Sequence, residues 1–209
     1  MSVSFSGNIS RVANVSRRER KRQQTADHLA DTAWTLFCDH GFEAVTMEAI
    51  AEAADVAKAT LYKHFPVKEA LLRHRFHREL ADELPALLAE LDTRPTITER
   101  LHEFFRHSAG WSVSHRDYLP HYLRFCLGEV GMRDAPERQS GLNTVFANLI
   151  AAGQLSGEFS SGQDAALLAH YLQFLHLATL LRWLNIPGLD LSAEFDRMLE
   201  LFLHGLGTE

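Results

Sequence analysis

The chain has 209 residues, 46% of them apolar and 23% charged, a composition that suits one large globular domain or two small ones and excludes a disordered chain. Its formal charge of −6 hides an asymmetry: residues 1–78 carry 12 Lys/Arg against 9 Asp/Glu, and residues 79–209 carry 9 against 18. A basic front on an acidic body restricts any polyanion to the front.

Residues 1–18 have weak periodicity and several Ser, Asn and Gly residues, so they are expected to form a flexible arm. It leads into the basic run Arg17, Arg18, Arg20, Lys21 and Arg22, and it lacks the continuous apolar stretch of a secretory signal. Leu29, Ala33, Leu36 and Phe37 recur at helical spacing, which predicts a helix over 20–40 stopped at Gly41. Thr46 is then an N-cap, Glu48 favours the positive helix start, and Val45 can staple onto Ile50. This second helix ends near Asp55, and "KATLYKHF" (Lys58 to Phe65) forms a third, held by Leu61 and Phe65 and stopped by Pro66. A long helix follows over 67–91, with Pro85 expected to kink or split it. The remaining helical spans are 97–113, 118–130, 136–153, 163–185 and 191–205. The fold class is all-α, divided into an arm (1–18), an N-terminal three-helix domain (19–66) and a larger helical domain (67–209).

Two short helices joined by a tight turn, with small Ala51 and Ala54 at the crossing, make a helix-turn-helix. Its second helix enters the DNA major groove. With Leu61 and Phe65 turned inward, Lys58, Ala59, Thr60, Tyr62, Lys63 and His64 face outward: Lys and His supply charge, Thr and Tyr hydroxyls bond phosphates, and Lys63 is placed to reach guanine O6/N7. The expected partner is double-stranded DNA. An arm beside a major-groove helix reaches the adjacent minor groove, which adds Arg17 and Arg18.

"TMEAIAEAADVAKATLYKHFPVKEALL", Thr46 to Leu72, closely resembles the DNA-binding signature of the TetR family of transcriptional regulators. That resemblance implies phosphate contacts from Thr46, Lys58, Thr60, Tyr62, His64 and Lys68, and base-edge positions for Lys58, Ala59 and Lys63. Three residues depart from the pattern: Asp55 stands for Gly, Ala57 for a capping Ser, and Ala59 for Gly. The segment around Gly157-Glu158-Phe159 and Asp164 resembles the family's penultimate helical pair, which implies a homodimer through residues 163–205 and an effector pocket inside helices four to eight. Ala165 to Leu181 is apolar nearly all round but interrupted by His170, Gln173, His176 and Thr179. It is too short and polar to span a membrane, and suits burial between subunits.

The expected function is a cytoplasmic, DNA-binding repressor released from a palindromic operator by a small-molecule effector; the alternatives are an activator, a ligand-independent DNA binder, or an enzyme or carrier using the C-terminal cavity. Phe105, Trp111, His121, Tyr122, Phe125, Phe146, His170, Tyr171 and Phe174 are the candidate pocket residues, although at helical spacing aromatics are more often core. No catalytic fingerprint appears, and "HRD" at His115–Asp117 lacks the asparagine a kinase loop requires, Tyr122 standing there instead. No cofactor is expected, and no metal site: Cys38 and Cys126 lie far apart, and His74 and His77 have no second ligand pair.

Overall fold

Helix α1 opens on a capping box. Ser16 Oγ accepts from the Glu19 amide at 3.1 Å, and the Ser16 amide donates to Glu19 Oε2 at 2.8 Å. In the computed structural model, which describes residues 16–128 and 141–204, α1 therefore spans Arg17–His40. The expected arm reaches two residues too far: Arg17 and Arg18 are helical, and S-x-x-E is the sequence signal for it. Residues 1–15 lie outside the described residues. Any truncation that probes them should keep Ser16.

The described residues contain helices and no strand: α2 Met47–Ala53, α3 Lys58–His64, α4 Lys68–Leu91, α5 Ile97–Ser114, α6 Leu119–Gly128, α7 Leu142–Ser156, α8 Ala165–Asn185 and α9 Leu191–His204. They divide into two compact units, residues 1–76 and 77–209, so the division falls inside α4 rather than before it. The reason is packing. Ala70, Leu71, Leu72 and Phe76 of α4 are buried, and Phe76 meets Trp34 of α1 edge-on at 5.8 Å. Asp27 of α1 is 2.7 Å from His74 Nε2 on the same stretch of α4. In the first unit, Leu29, Ala30, Ala33 and Phe37 of α1 and Ile50, Ala51 and Leu61 of α2 and α3 are also buried.

Helix α4 continues through Pro85 and is not split. The proline removes one N–H, leaving the Ala81 carbonyl without its helical donor, but Ala81 is exposed and water can take that place.

In the second unit α5, α7, α8 and α9 pack on one another around Phe104, Phe105, Phe146 and Phe195. The Gly157-Glu158-Phe159 turn has a physical role at each residue. Gly157 ends α7 at φ 79°, in the left-handed region. Both Glu158 oxygens accept from the start of α5, from the amides of Ile97 (2.8 Å) and Thr98 (2.7 Å). Burial works to raise the Glu158 carboxyl, but those two amides and Arg100 outweigh it and hold it below the ordinary carboxylate value. Phe159 lies over Gly153, where a Cβ would come within 2.3 Å of its ring.

Candidate nucleic-acid interface

The turn between α2 and α3 is built by its backbone. Ala54 closes α2, Asp55 takes φ 52°, the Asp55 amide donates to the Glu52 carbonyl (3.1 Å), and the Val56 amide reaches back to Ala51 (3.0 Å). This is a Schellman cap with aspartate at the left-handed position. His28 Nε2, 3.2 Å from the Ala54 carbonyl, ties the turn to α1. An L-residue is strained at that φ, although Asp tolerates it better than most. Asp55→Ala should therefore lower stability by about 1 kcal/mol, and Asp55→Gly should leave it equal or raise it. Thermal melts of the two variants measure this, and an Ala variant as stable as wild type would show that the turn carries no strain.

Leu61 and Phe65 are buried, and Lys58, Ala59, Tyr62 and Lys63 are exposed, with Thr60 and His64 partly so. Thr46 caps α2, its Oγ1 accepting from the Ala49 amide at 3.1 Å; Ala57 gives α3 no side-chain cap. His64 differs from its expected charged role. Burial, then Arg22, Lys63 and His74, push its imidazole below the ordinary value, so at neutral pH it offers an N–H donor rather than a cation.

Lys68 also differs from an outward phosphate contact. Its ammonium donates to the carbonyls of Phe42 (2.7 Å), Glu43 (3.3 Å) and Val45 (3.3 Å), lies over the Phe42 ring, and is only 19% exposed. It braces the α1–α2 loop from below. A Lys-Glu-Ala-Leu pattern read from sequence does not reveal this, because the carbonyls come from a loop 23 to 26 residues earlier. Glu48 is more than a helix-start residue: its carboxylate lies among the outward side chains of α3, a role that sequence spacing does not signal.

The aromatic residues expected in an effector pocket separate into groups. Phe105 and Phe146 are stacked in the core, 5.6 Å between ring centres. Trp111 Nε1 donates to Glu79 (2.9 Å), and the Tyr122 hydroxyl lies 3.0 Å from His77 Nε2. His121 and Phe125 are half-buried on α6. His170, Tyr171 and Phe174 lie on an exposed face of α8. His176 belongs to the core: it is stacked on Phe195 at 5.1 Å and hydrogen-bonded with Ser108 Oγ at 2.8 Å. Its only sequence signal is a polar residue in an apolar helix.

Among the described residues Glu90, Glu103 and His107 are the group placed to share a cation. Glu103 is already paired with Arg94 (2.7 Å) and with Arg106, which neutralises the carboxylate a cation would need. His74 and His77 turn to different partners, Asp27 and Tyr122.

The family model of bacterial regulatory proteins of the tetR family matches residues 29–74, the segment that holds the second half of α1, all of α2 and α3 and the start of α4. The HTH-type transcriptional repressor KstR of Mycolicibacterium smegmatis is 39% identical over 220 residues, covering 96% of this chain and 93% of that protein. The putative mycofactocin biosynthesis transcriptional regulator MftR of Mycobacterium tuberculosis is 37% identical over 86 residues, which is 41% of this chain and less than half, 43%, of that relative. Thermus thermophilus FadR, a TetR-family repressor solved with lauroyl-CoA, superposes with a TM-score of 0.74 at 25% identity, covering 88% of this chain and 96% of that one.

Proposed function

Because the chain belongs to the TetR family of bacterial regulatory proteins, we propose that it is a homodimeric, DNA-binding transcriptional repressor released from a palindromic operator by a small-molecule effector. The observation that carries the DNA reading is α3 itself. Two buried anchors hold it, and its exposed face carries Lys58, Ala59, Tyr62 and Lys63 with no acidic residue among them. Thr46, Lys58, Thr60, Tyr62 and His64 are assigned to phosphates, Lys58, Ala59 and Lys63 to base edges, and Arg17 and Arg18 to the flanking groove. Lys68 is assigned a supporting role, holding the loop from which Thr46 starts α2. The DNA-binding part is assigned to the first unit, from the start of α1 to Phe76, and the effector and dimer part to the second, from His77.

Selection of bound duplexes from a random pool tests this directly, and a palindrome should be enriched. On that duplex Tyr62→Phe should weaken binding on operator and random DNA alike, since its hydroxyl serves a phosphate. Lys63→Ala should instead relax preference at one position per half-site, by about 1–3 kcal/mol of discrimination. Equal losses on both DNAs for both variants would overturn this division of roles.

The dimer is assigned to α8 and α9. Leu167, Tyr171 and Phe174 recur on one exposed face of α8, a larger apolar stripe than a surface helix needs. The effector site is assigned to the second unit, and the lauroyl-CoA carried by the Thermus protein makes a ligand with a large apolar part the class to test first. Coupling is assigned to α4, whose residues belong to both units. Effector and operator must then weaken each other's binding by the same factor.

A further inference from the structure

We propose that Glu48 is an internal counterion that occupies Lys58 and Tyr62 until DNA phosphates replace it, and so sets how tightly this surface binds any duplex. This rests on the reading of α3 as the DNA-contacting helix. One carboxylate oxygen, Glu48 Oε1, accepts from the Tyr62 hydroxyl at 3.4 Å and lies 3.8 Å from Lys58 Nζ. Lys58 and Tyr62 are four residues apart on α3 and so share one face, and Glu48 reaches them from the first turn of α2.

Two effects follow. The carboxylate holds two long side chains near one geometry, which reduces the ordering cost of presenting them to a backbone. It also places a negative charge, half exposed, on the surface that approaches a polyanion. The pairing itself is weak, because ion pairs at this exposure are screened by water and salt and exchange readily. Any duplex must displace Glu48 from Lys58 and Tyr62 and then tolerate its charge. The penalty is the same for random DNA and for an operator, because both must displace Glu48 from the same two side chains. Glu48 therefore lowers affinity for both and leaves the ratio between them nearly unchanged.

The test uses the full-length dimer, the enriched operator duplex and a random duplex of the same length. Glu48→Gln keeps the size and the acceptor for Tyr62 but removes the charge; Glu48→Asp keeps the charge and serves as control. With Glu48→Gln, affinity for random DNA should rise roughly five- to tenfold at low salt. Affinity for the operator should rise by a similar factor, so the specificity ratio stays nearly constant. The slope of log affinity against log salt on random DNA should steepen by about 0.9 for each additional phosphate that the protein neutralises. Glu48→Asp should stay near wild type. Unchanged or weaker random-DNA binding by a folded Glu48→Gln dimer overturns this proposal alone. A wild-type dimer that binds no duplex overturns the reading of α3, and this proposal with it.

Discussion

Acidification from pH 7 to pH 4 should cost the fold about 3 kcal/mol through one side chain, His176. Burial pushes its imidazole down to about 4, against 6.5 for an ordinary histidine. The reason is local. Three phenylalanine rings, Phe105, Phe146 and Phe195, surround it, and its near polar partner is the Ser108 hydroxyl, which can hydrogen-bond a neutral ring but cannot balance a cation. The unfolded chain takes up a proton near pH 6.5, and the folded chain does not until about pH 4. The histidine's contribution is therefore fully present above about pH 7, falls across the window from 6.5 to 4, and is level below it. Glu103 and Glu194 are held below the ordinary carboxylate value, chiefly by Arg106 and Arg182 respectively, so their contributions are lost only as pH falls below about 4.5. Denaturant unfolding at several pH values should show wild type losing about 2 kcal/mol more than His176→Phe by pH 5. Parallel pH profiles would show that the core accepts the charge.

Phe174→Asp should dissociate the proposed dimer while leaving each protomer folded. Phe174 is 61% exposed and Tyr171 57% exposed on α8, so neither supports its own chain's core. A fully buried aromatic contributes about 1.5–3 kcal/mol, and a two-fold interface counts each change twice. Losing two rings and introducing two unpaired carboxylates should weaken association by roughly 4 kcal/mol or more, about a thousandfold. Sedimentation at micromolar concentration would then find monomer for the variant and dimer for wild type. A variant that stays dimeric, or a wild type that is monomeric, would remove α8 from the interface. Leu172 and Leu180 on the same helix would be poor tests. Both are buried within the chain, at 0% and 4% exposure, and arginine at either would unfold the protomer.

That contrast shows what the sequence can and cannot reveal. Helix existence and order are legible, because N-caps at Thr46, Thr96 and Asp164 and stops at Gly41 and Gly157 are local events. So is the outward face of α3, since two apolar anchors four residues apart on a short helix leave little choice. For α8 periodicity gives no answer. A helix apolar all round has an inner and an outer stripe that look alike, and only packing distinguishes Leu172 from Phe174. The expected pocket residues mix core, surface and hydrogen-bonded aromatics for the same reason. The cross-element partners of Lys68 and Glu48 are not legible in the sequence, because no spacing rule joins Lys68 to Phe42 or Glu48 to Tyr62.

The clasp of Glu158 on α5 has a consequence for the order in which the chain acquires its structure. Its carboxylate completes the start of a helix 60 and 61 positions earlier in sequence. During synthesis the amides of Ile97 and Thr98 must remain hydrated until residue 158 has left the ribosome. At about 5–20 residues per second that is a delay of several seconds. Closing so long a loop is entropically costly and is repaid only when α5 and α7 pack. The clasp should therefore form after the main folding barrier. Weakening it should speed unfolding and leave the refolding rate nearly unchanged.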